Sequence, residues 1–147
     1  MQLRSDAFKN GGNVPKRFTC DGANHSPSFA WSDAPIGTQS FAIICRDPDA
    51  PGTTWYHWAL FDLPPDSLVL VEGRGALGLE AVNDFGKQGY GGPCPPHGHG
   101  EHHYIFRLYA LNVRHLDVPH AARCRDIESA SEAHAIATAE LTGIYAR

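Results

Sequence analysis

The sequence predicts a mainly β protein, a sandwich or a barrel, with one helix packed on it near the C-terminal end. Three observations carry this. Most of the chain is short apolar runs separated by Gly, Pro, Asn and Asp, the rhythm of strands and turns. One stretch, His103 to Val113 (HYIFRLYALNV), alternates its side chains between two faces over strand-like length. The tail from Asp126 then turns Ala- and Glu-rich and changes to helical spacing.

Taken in order, short pieces near Phe18–Thr19 and Ser28–Trp31 add strands. Phe41 to Cys45 (FAIIC) is a compact apolar run and reads as a buried strand. Trp55 to Leu63 (WYHWALFDL) is aromatic and branched, and stops at Pro64 and Pro65, which cannot continue a ladder. In the stretch from His103, alternation puts Tyr104, Phe106 and Leu108 on one face and Ile105, Arg107 and Tyr109 on the other. Turns or loops are expected at 10–13, 21–22, 47–48, 62–66 and 89–100. In the tail, Ile127, Ala130, His134, Ala137 and Leu141 make one stripe of a helix running from Asp126 to about Leu141. Asp126 is its expected N-cap, Gly143 its stop, and His134 a packed core residue.

The 147 residues, 1–147, are expected to form a single domain, since domains cluster near about 100–150 residues. Such a chain buries roughly two-thirds of its unfolded surface, enough for a core without staples. Twelve Lys and Arg against 16 Asp and Glu leave a net charge of −4, which excludes a nucleic-acid coat. No apolar stretch approaches the roughly 20 residues that cross a bilayer. The opening MQLRSDAFKNGG lacks the apolar core of a secretory signal, so a cytoplasmic protein is expected. None of Cys20, Cys45, Cys94 and Cys124 has C-x-x-C spacing. They read as buried thiols of a reducing compartment, with one structural disulfide as the alternative.

Three segments carry candidate chemistry. In Asp47-Pro48-Asp49, extended geometry before each proline would point two carboxylates the same way. His57 sits inside an aromatic strand, where shielding from water favours the neutral ring. The loop from Gly91 to Tyr104 holds four of the nine histidines between His97 and His103, is stiffened by prolines, and offers N–H groups at Gly98 and Gly100 for an anion. His102 and Tyr104 then share one strand face. Together Asp47, Asp49, His57, His102 and Tyr104 would make a small polar pocket in an apolar sandwich, suited to a phosphate or a zwitterion.

The run D-P-D-A-P, a His in an aromatic strand, and P-P-x-G-x-G-x-H-x-Y together resemble the phosphatidylethanolamine-binding protein family, also called Raf kinase inhibitor-like proteins. The stretches Phe18–Pro27, Asn83–Lys87, Gly89–Pro96 and Ala139–Tyr145 resemble its bacterial and archaeal branch. The resemblance covers about Val14 to Arg147. It implies a two-sheet antiparallel Greek-key β-sandwich with a cavity for phosphate, acetate or a phospholipid headgroup. Carried over by motif, the ligand-binding residues are Asp47, Asp49, His57, Pro95, Gly98, His102 and Tyr104, with Cys94 at the lip. His97 and His103 stand where many members carry basic residues, which makes anion affinity more sensitive to pH.

The reading is therefore a binding protein for a phosphate-bearing small molecule or phospholipid headgroup, with no cofactor, no metal and no catalytic residue. A protein partner with kinase-like regulation and a homodimer follow from the resemblance alone. The alternative is a small hydrolase or metal-dependent enzyme, since Asp47, Asp49, His57 and His102 are acceptable zinc ligands and Cys94 is the one nucleophile near the pocket. There is no G-x-S-x-G nucleophile elbow.

Overall fold

A computed structural model describes residues 1–73 and 78–147. Eight strands, β1 (Gln2–Arg4), β2 (Phe29–Ser32), β3 (Ser40–Asp47), β4 (Trp55–Leu63), β5 (Val69–Leu70), β6 (Leu79–Glu80), β7 (His102–Leu111) and β8 (Ala135–Tyr145), and one helix, α1 (Cys124–His134), are formed among the described residues. The strands make two antiparallel sheets, in the order β1-β2-β5 and β6-β4-β3-β7-β8. The chain leaves the β3–β4 hairpin, visits β5 and β6, and returns as β7 on the far side of β3, the long return of a Greek key. The expected two-sheet antiparallel β fold with one helix is what the chain adopts.

Alternation along the central strands sorts the core. Phe41, Ile43 and Cys45 of β3 and Tyr104, Phe106 and Leu108 of β7 pack toward the small sheet, against Phe29 and Trp31. Ala42, Ile44, Tyr109 and Leu111 face the other way, onto Ile127 and Cys124 of α1. The large sheet is thus the middle of three layers, buried on both faces. That is why its strands read as near-continuous apolar runs.

The tail departs from expectation. The helix ends at His134, and Ala135–Tyr145 is the edge strand β8, paired with β7 over nearly its whole length. Asp126 lies in the first turn rather than before it, its carboxylate accepting the Arg123 N–H at 3.0 Å. Ala137 and Leu141 belong to the strand, Gly143 lies inside it opposite Tyr104, and His134 is only half-buried. Ala and Glu favour a helix intrinsically, but the unpaired edge of β7 offers a full ladder, and tertiary pairing wins. The expected strand at Phe18–Thr19 is instead a 3₁₀ turn over Lys16–Phe18, entered from Pro15.

Cys20 and Cys94 form a disulfide across 74 residues of sequence, so the alternative of one structural disulfide holds in place of four free thiols. Cys45 and Cys124 remain free and buried. Burial pushes both thiols well up, so neither is a ready nucleophile.

Candidate functional site

The site lies where three central strands end. Asp47 closes β3, Trp55 opens β4 and His102 opens β7, and antiparallel pairing brings these ends to one rim of the large sheet. They line a cavity of about 330 Å³ with Ala50, Pro51, His57, Phe85, Cys94, Pro95, Pro96 and Tyr104.

His57 owes its direction to a backbone irregularity. Cys45 faces Trp58 and Arg46 faces Tyr56, so His57 is the extra residue of a bulge. The bulge breaks the alternation of β4, leaving Tyr56 on the helix side and turning His57 against Tyr104, ring centroids 5.2 Å apart. Its Nδ1–H donates to the Gly91 carbonyl at 2.7 Å, which fixes the tautomer and leaves Nε2 as the basic nitrogen. Burial lowers its pKa below the ordinary histidine value, outweighing the Gly91 carbonyl and the Asp47 charge, which act the other way.

His102 is 2% exposed and donates from Nδ1 to Asp47 Oδ2 at 2.6 Å. Asp47 Oδ1 accepts the N–H of Asp49 at 2.7 Å, an Asx turn that curls the chain after β3. That turn separates the two carboxylates, which the sequence reading had pointing together. Asp47 faces in, whereas Asp49 faces out and accepts both the backbone N–H and the ring Nδ1–H of His103. Partial burial opposes ionisation of Asp49, but the two bonds from His103 prevail and hold its carboxyl below the usual range.

Tyr104 is fully buried, and burial together with the nearby Asp47 charge holds its hydroxyl protonated. That hydroxyl has no partner among the described residues, and neither does the buried indole Nε1 of Trp55. Two residues that line one cavity therefore each carry a buried donor without an acceptor. Each leaves desolvation worth about 1–3 kcal/mol uncompensated. Among the described residues, no lining side chain is a Lys or Arg.

Of the residues singled out in the sequence, Asp47, His57, Cys94, Pro95, His102 and Tyr104 line the cavity, and Asp49 and Gly98 do not. The Gly98 N–H donates to the Arg147 carbonyl at 2.9 Å, so it is not free for an anion. Trp55 and Phe85 were missed as wall residues. Their rings meet edge to face at 5.5 Å, and only the aromatic density of Trp55-Tyr56 and the nearby Asn83–Lys87 motif hinted at them. The lip is sewn to the 16–24 segment by the Cys20–Cys94 bond, by Cys20 N–H to the Pro93 carbonyl and by Tyr90 Oη–H to the Phe18 carbonyl. On the other side Arg147 Nε–H donates to the Pro95 carbonyl at 2.7 Å.

Known proteins bear on this arrangement. The family model described as phosphatidylethanolamine-binding protein matches residues 4–146. A UPF0098 protein of Aquifex aeolicus is 43% identical over 100% of this chain and 89% of its own length. One of Methanothermobacter thermautotrophicus is 44% identical over 100% and 99%. The crystal structure of Escherichia coli YbcL, titled a new member of the mammalian PEBP family, superposes with a TM-score of 0.91. It is 36% identical, covering 99% of this chain and 98% of that one. The fold and the match over almost every residue lead to one conclusion: the chain belongs to the phosphatidylethanolamine-binding protein family.

Proposed function

We propose that the cavity binds a phosphate group, free or carried by a phospholipid headgroup, and that the protein is a binder rather than a catalyst. The observation that supports this best is the pair of orphan donors, Trp55 Nε1–H and Tyr104 Oη–H, on residues of one wall. Donors without acceptors suit a ligand rich in acceptors, and a phosphate has several. The volume is at the small end of ligand pockets and fits a headgroup-sized molecule. Ala50, Pro51, Trp55, Phe85, Pro95 and Pro96 give the methylenes of such a ligand an apolar wall.

An anion arriving beside neutral His57 favours its protonation at Nε2. Binding is therefore coupled to proton uptake and strengthens as pH falls. Phosphorylethanolamine and inorganic phosphate, titrated separately while the His57 and His102 ring signals are followed by NMR, test the reading. Saturable shifts in both rings support it, and tighter binding of phosphorylethanolamine identifies the headgroup as the better ligand. Unmoved rings at millimolar concentrations of both overturn it.

The enzyme alternative loses its thiol, because Cys94 is held in the disulfide. A partner protein, kinase or otherwise, and a homodimer stand on the family resemblance. Sedimentation of the purified chain checks the dimer. No helix among the described residues is long and apolar enough to cross a membrane. The cytoplasmic expectation is tested by the redox state of Cys20 and Cys94 in cells. Reduced thiols support it, and an intact bridge assigns the protein to an oxidising compartment.

A further inference from the structure

His102 has neither ring nitrogen free. Nδ1 donates to Asp47, and Nε2 lies 2.6 Å from Nδ1 of His99. The second contact comes from outside the pocket: His102 is buried, whereas His99 is exposed and is not among the lining residues. His99 stands in the loop between Pro96 and β7, flanked by Gly98 at φ +75° and Gly100 at φ +91°. Among the described residues, nothing lies within 4 Å of where a side chain at either glycine would be. Both neighbours of His99 are thus permissive backbone in open space, where φ changes with little steric cost. The Gly98 N–H is tied to the Arg147 carbonyl, so movement of His99 pivots about that anchor.

We propose that His99 is a built-in competitor: its ring occupies the one His102 nitrogen that Asp47 leaves over, and an anion that reaches that nitrogen from the cavity binds by expelling it. The inference rests on the reading of the cavity as an anion site.

The proton count sets its behaviour. The N···N contact holds one proton, given by either ring. It survives when both imidazoles are neutral or when one is charged. With both charged, two N–H groups would point at each other and the contact breaks. Asp49 is engaged by His103, His57 lies across Tyr104, and His97, Glu101 and Arg147 border the loop. With His99 expelled, Nε2 must carry a proton to donate to an anion, since Nδ1 already gives its own to Asp47. While the contact stands, an anion must displace it.

A nitrogen–nitrogen scalar coupling between His99 Nδ1 and His102 Nε2, measured by NMR on the ligand-free protein, reads the contact directly. It is expected to be present and to vanish when inorganic phosphate saturates the site. His99→Ala removes an exposed loop side chain, so its urea midpoint is expected to match the parent. By calorimetry the variant is expected to bind phosphate about threefold to tenfold more tightly. If the parent binds and His99→Ala gains nothing, or if the coupling is absent from the free protein, the competitor is overturned and the anion site stands. If neither protein binds phosphate or phosphorylethanolamine, the anion site falls and the competitor with it.

Discussion

Two buried donors without acceptors set the terms at the scale of single residues. Tyr104→Phe removes one of them without changing the ring. Stability is expected to hold or to rise by up to about 1 kcal/mol, because an uncompensated hydroxyl leaves the core. Phosphate affinity is expected to fall about twofold to tenfold. Urea unfolding and calorimetry on one preparation measure both, and a variant that loses stability and keeps affinity contradicts the assignment. His57 supplies the pH prediction. Its folded-state pKa is depressed by burial, so the unfolded chain takes up that proton first as pH falls. The stability is fully present above the unfolded value of about 6.5 and is lost as pH falls through the depressed folded value. His57→Gln should flatten that part of the acid slope relative to the parent, read as the difference between two urea series. At this scale much was legible. The residue types of Asp47, His57, His102 and Tyr104 were visible because carboxylate, imidazole and phenol in stiff loops and aromatic strands announce polar chemistry in an apolar setting. The outward turn of Asp49 was not, because it depends on an Asx turn and on His103 arriving from another strand.

Of the long central strands, β7 declares itself by its period and β3 and β4 by their compact apolar and aromatic runs, which is why these three stood out in the sequence. The two- and three-residue strands β1, β5 and β6 carry no period, since their pairing comes from the neighbours they meet. The tail shows the same physics in reverse. An Ala-rich stripe at helical spacing crosses from α1 into β8 because the second half finds a partner edge. Gly143 is the diagnostic residue. A helix stop would tolerate substitution by Asn, whereas a side chain here would come within 2.5 Å of Val14 Cγ2 and 3.0 Å of Phe8 Cε2. Gly143→Ala is therefore expected to destabilise the fold by about 1–3 kcal/mol through overpacking, measured by urea unfolding. A neutral result would contradict the close approach of β8 to the N-terminal segment. The bulge at His57 is the least legible device of all, because a one-residue insertion leaves the composition of a strand untouched.

For the molecule as a whole, the disulfide is the long-range constraint that local spacing could not reveal, since its two cysteines are 74 residues apart. Replacing both by serine is expected to reduce stability by about 2–4 kcal/mol, seen in urea midpoints with and without reductant. Alkylation of the denatured, unreduced protein should label two of the four cysteines, and all four after reduction. A third effect of the architecture concerns how the protein can diverge. The floor of the cavity is made of strand ends in a layer buried on both faces, while most of the rim is loop outside that layer. Selection can therefore rewrite the rim and leave the floor alone. A library randomised at 96–100 should yield mostly folded proteins whose ligand preferences differ, whereas one randomised at Asp47 and His102 should yield proteins that have lost the ligand altogether. Lineages of this fold are thereby free to change what they recognise faster than how they are built.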